Sequence, residues 1–204
     1  MKSFTLLMVA IALAGVHIAA LWTVFHPHVS PAYQAFYIDG TQSDWITNHY
    51  VATPEQGMEF KRWGLPNWVA ATFGLAVHEG WGRWTDGDVA RTPAIVFAQP
   101  LTGPRCVEFE AGAAPWLKGK NFSVRMDGES QTLRFAGPEP HTYRAGFSLT
   151  QPAERLEFLM PGNLPRLSEM EKRSLDNRRV GLGLVRLRIL PGTCSTSVEE
   201  LGKN

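Results

Sequence analysis

Apolar and polar residues alternate with a period of two through much of the second half of the chain, the signature of extended strands with one face buried. Val107, Phe109 and Ala111 share one face, while Glu108 and Glu110 share the other with Cys106. Phe122, Val124 and Met126 alternate with Ser123, Arg125 and Asp127, and Leu133 and Phe135 flank Arg134. Tyr143, Ala145, Phe147 and Leu149 repeat the pattern, Leu156, Phe158 and Met160 nearly do so, and Val185, Leu187 and Ile189 alternate with Arg186 and Arg188. Asp127-Gly128 between two such runs is a hairpin signal, and residues 138–140 and 161–165 mark further turns. Many short strands with regular turns predict two packed antiparallel sheets. The expected fold is therefore all-β, a jelly-roll-like antiparallel β-sandwich preceded by one N-terminal transmembrane helix. Leu167, Met170 and Glu171 predict one or two helical turns within a long loop over residues 165–177.

The N-terminus follows a different pattern. Residues 4–25 are apolar and uncharged, and as a helix at ~1.5 Å per residue they span ~33 Å, enough for a hydrocarbon core of ~30 Å. A cleaved secretory signal has a shorter apolar region and a small-x-small site, for which Ile18-Ala19-Ala20 is passable; the length favours an uncleaved anchor. Lys2 precedes the run and no further Lys or Arg occurs until Lys61, so the positive-inside rule turns everything after the anchor outward. This predicts a single-pass protein of the bacterial inner membrane with its C-terminal domain in the periplasm. Trp22 suits the headgroup layer, and His17 reads as a tolerated imidazole. The expected organisation is an anchor over 1–25, a tether with lead-in strands over 26–56, the β-sandwich over 57–192 and a polar tail over 193–204, fraying from 196 onward. Thr41 or Ser43 is a candidate turn cap in the tether.

Composition narrows the function classes. After the anchor about 175 residues remain, the size of one domain. A net charge of +1, with 44% hydrophobic and 19% charged residues, excludes a disordered tail and a strongly basic nucleic-acid binder. Cys106 and Cys194 are too far apart for a redox or zinc motif, but in an oxidising envelope they are candidates for a disulfide worth ~4.5 kcal/mol in the chain-entropy model. No metal or cofactor is expected: Gly82 stands where a zinc protease would place its second histidine after His78-Glu79, and His26 and His28 lack companion ligands. Glu79 with Asp86 or Asp88 is a formal glycosidase carboxylate pair. Among the tryptophans, Trp63, Trp68 and Trp116 read as core or edge packing and Trp45 as the exposed one.

Residues 73–85 read FGLAVHEGWGRWT and residues 174–184 read SLDNRRVGLGL. With Gly64-Leu65-Pro66 before the first stretch and residues 93–101 after it, the pair resembles the envelope-facing β-sandwich domain appended to bacterial phosphoglycerol transferases of the periplasmic-glucan type and to membrane glycosyltransferases. The resemblance covers roughly residues 30–190. The chain leaves no room for those proteins' multi-span membrane part or catalytic domain, so their transferase activity is not implied. What is implied is a non-catalytic accessory module of envelope glycan metabolism, binding saccharide or glycerophosphate-type groups or docking on a transferase. Its partners would be the inner membrane and an envelope saccharide or a membrane glycosyl or phosphoglycerol transferase, with no nucleic acid. Two other readings stay open: a purely structural interaction module, and a transferase or hydrolase acting on glycans.

The residues that carry the resemblance are also the candidate ligand-binding set: Glu79, Trp81, Arg83, Trp84, Asp176, Arg178 and Arg179. Arg178 or Arg179 suits anionic groups, and Trp81 or Trp84 suits the face of a sugar ring. The same set is equally a recipe for an ion-pair network that fixes a long loop on the sheet edge.

Overall fold

The computed structural model describes residues 2–25, 48–172 and 174–200; Trp45, the candidate caps Thr41 and Ser43, and His26 and His28 lie outside them. The chain begins with helix α1 (Lys2–Phe25). Leu13, Val16, Ile18, Leu21, Trp22 and Val24 of α1 are all exposed. Among the described residues no helix is long and apolar enough to cross a membrane, so a spanning role for α1 rests on the sequence.

The chain then runs through β1 (His49–Tyr50), β2 (Met58–Glu59), β3 (Leu65–Pro66), β4 (Val69–Phe73), β5 (Arg83–Asp86), β6 (Ala94–Ala113), β7 (Asn121–Met126), β8 (Glu129–Arg134), β9 (His141–Leu159), the short helix α2 (Leu167–Met170), β10 (Val180–Pro191) and β11 (Ser197–Glu200). Apart from the parallel contact of β1 with β3, these strands form one antiparallel, sandwich-like system, ordered β2-β10-β6-β9-β7-β8 with β4, β5 and β11 added at its sides. The long strands β6 and β9 pair with each other, shifting register between Val96 and Leu101 and again before Gly103. On its other side β6 takes β4 in its first half and β10 in its second. Likewise β9 takes β11 and then β7. Strands that change neighbours at an irregularity in this way serve two packed layers.

The alternation seen in the sequence builds the core. Val107, Phe109, Val124, Tyr143, Phe147, Leu156 and Phe158 are buried, each contributing about 1.5–3 kcal/mol where the side chain is large. Phe109 stacks on Tyr143 at 5.0 Å and meets Phe158 edge-on at 5.4 Å. The Tyr143 hydroxyl accepts the Ala136 N–H at 3.1 Å, which satisfies the one polar atom that this ring carries inward. Asp127 and Gly128 adopt φ of 46° and 81°, the twist that closes the tight β7–β8 hairpin.

Two expectations are corrected. Val185 does not join Leu187 and Ile189 on the inner face: the register of β10 on β6 shifts between Leu184 and Arg186, so Leu184 and Leu187 both point inward and Val185 is half-buried at the bulge. Its carbonyl is used by the Phe60 N–H at 2.9 Å. The second correction is the tail, because residues 197–200 are strand β11 on β9. A disulfide joins Cys106 to Cys194 across 88 positions with Cα atoms 5.4 Å apart, and it brings the tail onto the sheet. Gly146 makes room for it, since a β-carbon there would stand 2.1 Å from the Cys194 carbonyl oxygen.

The outer face of the sheet is also less wet than alternation suggests. Glu108 is buried opposite Arg144 and Arg188, its register partners on β9 and β10. It accepts from Arg144 Nε at 2.9 Å and from Arg188. Burial pushes this carboxyl up, but the hydrogen bonds and charges of the two arginines outweigh it and hold it below the usual range. Glu157 stands likewise between Arg125 at 2.6 Å and Arg155 at 3.2 Å.

Candidate functional site

The first motif is a hairpin laid along the start of β10. The Ala76 N–H donates to the Trp84 carbonyl at 2.8 Å, and Glu79 and Gly82 exchange backbone hydrogen bonds at 2.9 and 3.1 Å to close the tip. Trp84 lies opposite Gly183 and Arg83 opposite Leu184. In the second motif Val180, Leu182 and Leu184 point into the core, so Gly181 and Gly183 leave the opposite face bare. A β-carbon on Gly183 would stand 2.7 Å from the Trp81 ring, and one on Gly181 would stand 2.9 Å from both the Met160 sulfur and the Thr85 hydroxyl oxygen. That hydroxyl accepts the Leu182 N–H at 2.8 Å. The tryptophan-rich stretch and the glycine-rich stretch are the two sides of one packed seam.

Beside the seam, Arg178 is held by two carboxylates. Its Nε and Nη2 donate to Asp176 Oδ2 at 2.9 and 2.6 Å, and its Nη1 donates to Glu79 Oε1 at 3.0 Å. The other Glu79 oxygen accepts the Trp81 indole N–H at 2.8 Å, and Trp81 meets Trp84 edge-on at 5.3 Å. Hydrogen bonding to Arg178 holds the Asp176 carboxyl below its ordinary range, and Asp176, against the cost of burial and with help from Glu79, keeps the guanidinium charged. Three of its five N–H donors are committed to carboxylates, and two negative charges already answer its positive one.

The candidate set therefore divides. Glu79, Trp81, Trp84, Asp176 and Arg178 meet, and Trp81 keeps part of its ring in solvent. Arg83 is fully buried beneath them, where its Nη1 faces the Ala76 carbonyl at 3.5 Å, so it is no ligand contact. Arg179 faces elsewhere: its Nη1 donates to the Leu164 carbonyl at 2.6 Å and its Nε pairs with Asp88 at 3.2 Å.

Arg179 lines an open groove of about 550 Å³ with Gly87, Asp88, Arg91, Asn163 and Leu164 among its walls. Asp88 is also bound by Arg166 at 3.3 Å. Among the described residues Arg91 has no hydrogen bond or ion pair, and it is exposed. Below the groove, burial pushes the Asp86 carboxyl up, against the Asp88 N–H that donates to it at 2.9 Å. Asp86 and Asp88 thus belong to this turn and Glu79 to the Arg178 cluster, which separates the formal carboxylate pair into two networks.

Sequence reasoning missed Arg91, Asp88 and Asn163 as a group. The available signal was that residues 87–91 and 161–164 are aperiodic and adjoin the two motifs. It also misplaced Trp63, which is 61% exposed and lies 4.9 Å from the His78 ring, whereas Trp68 is buried and Trp116 packs against the core. Among the described residues no group of three or more His, Cys, Asp or Glu is gathered for a metal. No curated protein and no solved structure matches the chain. The family model described as "Domain of unknown function (DUF7024)" matches residues 46–191, and the chain belongs to that family.

Proposed function

We propose that the protein is a non-catalytic, membrane-tethered accessory module of envelope glycan metabolism that binds a saccharide carrying glycerophosphate-type groups. The observation that carries this reading is the groove between the ends of the two motifs. Asp88 and Asn163 offer acceptors for sugar hydroxyls, Arg91 and Arg179 offer donors and positive charge, and Met160, Pro161 and Leu164 supply an apolar wall. The resemblance of both motifs to the domain appended to phosphoglycerol transferases of the periplasmic-glucan type supports the same ligand class, and strands β6 and β9, which serve two layers, fit the jelly-roll form of the sandwich.

The location belongs to this proposal. An apolar helix with exposed side chains along its described length finds its proper solvent in a bilayer, which supports α1 as an inner-membrane anchor. The disulfide suits an oxidising periplasm. A reporter fused to the C-terminus that works only in the cytoplasm would overturn the orientation.

Calorimetric titration of the full chain in detergent with glycerophosphate-substituted and unsubstituted periplasmic glucans tests the binding. Heat of binding with the substituted glucan, weakened at least tenfold by Arg91→Ala, is expected; silence with both glucans would remove the reading. A second reading, docking on a membrane transferase, is favoured by the exposed Trp63, Val77 and Leu175 on or near the motif hairpin and the Arg178 loop. Co-purification of such an enzyme, lost on Trp63→Ser together with Leu175→Ser while glucan binding persists, would establish it.

A further inference from the structure

A second depression lies on a different set of elements, where β8 ends, β9 begins and β11 returns. It has a volume of about 380 Å³ and is lined by Lys118, Gly119, Arg134, Phe135, Ala136, His141 and Val198. Every ionisable side chain among these residues is basic. Several arginines elsewhere on this domain are engaged: Arg144 and Arg188 with Glu108, Arg125 and Arg155 with Glu157, Arg178 with Asp176 and Glu79. Lys118 and Arg134, by contrast, form no ion pair or side-chain hydrogen bond among the described residues.

His141 is the sharper observation. It sits two residues before Tyr143 on the inward-facing side of β9, is only 9% exposed, and its Nδ1 is buried without a hydrogen-bond partner among the described residues. The ring nitrogen that stands on the Lys118 side is Nε2. The ring and the Lys118 side chain flank a single point, for a β-carbon on Gly137 would lie 3.9 Å from both His141 Nε2 and Lys118 Cδ. The absence of a side chain at Gly137 keeps that space open.

We propose that this depression is an anion-binding site for a phosphate ester, separate from the groove at Arg179. A planar carboxylate has two oxygens, whereas a phosphomonoester presents three terminal oxygens in a tetrahedral array, which suits a lining with three basic side chains better. Arg134 supplies a forked guanidinium, Lys118 a point charge and His141 a single ring N–H. Phe135, Ala136 and Val198 form an apolar wall for the organic part of the ester. A soluble glycerol phosphate is a phosphomonoester and the headgroup of phosphatidylglycerol a phosphodiester; both present an anionic tetrahedral phosphate on a glycerol, and the site accepts either on these grounds.

The test uses the full chain in detergent micelles of neutral charge. Titration with sn-glycerol 1-phosphate is followed by calorimetry and by the ring-nitrogen NMR shifts of His141. Binding that perturbs His141 and weakens at least tenfold in the Lys118→Gln/Arg134→Gln variant is the expected result. Both substituted side chains are exposed and without partners, so that variant keeps its melting temperature. In a second arm the protein is reconstituted with vesicles of phosphatidylglycerol or of phosphatidylcholine. Loss of glycerol phosphate binding only in the phosphatidylglycerol vesicles assigns the lipid headgroup as the source, and retention in both assigns the soluble ester. No binding in micelles, or binding unchanged in the double variant, overturns the proposal. The His141 ring shifts report this depression and not the groove at Arg179, which separates failure here from failure at the groove.

Discussion

The Arg178 cluster and the Arg179 groove begin from adjacent residues of one motif and end in different physical situations. Arg178 has two carboxylates and gives three of its five donors to them, so its positive charge is already answered. Arg179 shares its one carboxylate, Asp88, with Arg166, and next to it Arg91 has no partner among the described residues. A motif rich in charge thus divides into a part that closes the fold and a part that remains available. Neutralised charge marks architecture, and surplus charge beside a cavity marks recognition.

The largest expected effect lies on the architectural side, in the buried Glu108. Glu108→Ala leaves Arg144 and Arg188 facing each other across β6 and is expected to cost about 2–4 kcal/mol, read as a fall in the denaturant midpoint. The same residue sets a pH dependence. Because its folded pKa is held below the ordinary value of 4.5, its stabilisation is complete above that value and disappears as the pH falls through the lowered one. Glu108→Gln should therefore flatten the acid limb of the stability profile; an unchanged limb would show that this triad is not structural.

The seam comes next. Gly183→Ala forces a methyl group against the Trp81 ring and is expected to cost about 1–3 kcal/mol, with a change in the near-ultraviolet signal of Trp81 and Trp84. Arg178→Ala acts on a partly exposed cluster, so a loss of about 1 kcal/mol is expected, with glucan affinity retained. Arg91→Ala marks the other end of the comparison: stability should stay within ~0.5 kcal/mol of the parent while glucan affinity falls at least tenfold. If Arg178→Ala abolished binding in a folded protein, the division between the two arginines would be wrong.

Much of the architecture was legible in the sequence because period-two alternation is a local property: Val107, Phe109 and Ala111, or Tyr143, Ala145 and Phe147, declare their face without knowing their partners. What depends on pairing was not legible. Nothing local to Val185 signals the bulge, and nothing in the polar residues 197–200 signals that the disulfide returns them to β9. For the same reason Glu108 looked like a solvent-facing residue until its register partners on two other strands were known. At the site, the residue types identified Arg178 and Arg179 together, since spacing along a chain does not say which carboxylate each will reach. Arg83 shows the limit most plainly: in the sequence it is a candidate for ligand binding or for an ion-pair network, and it lies wholly within the hairpin's packing.

The most direct test of the account is a calorimetric titration of glycerophosphate-substituted glucan into three full-length proteins in parallel: the parent, Arg91→Ala and Arg178→Ala. The account predicts that the parent and Arg178→Ala bind alike and that Arg91→Ala binds at least tenfold more weakly. Equal affinity for the parent and Arg91→Ala, with binding lost in a folded Arg178→Ala, would contradict it.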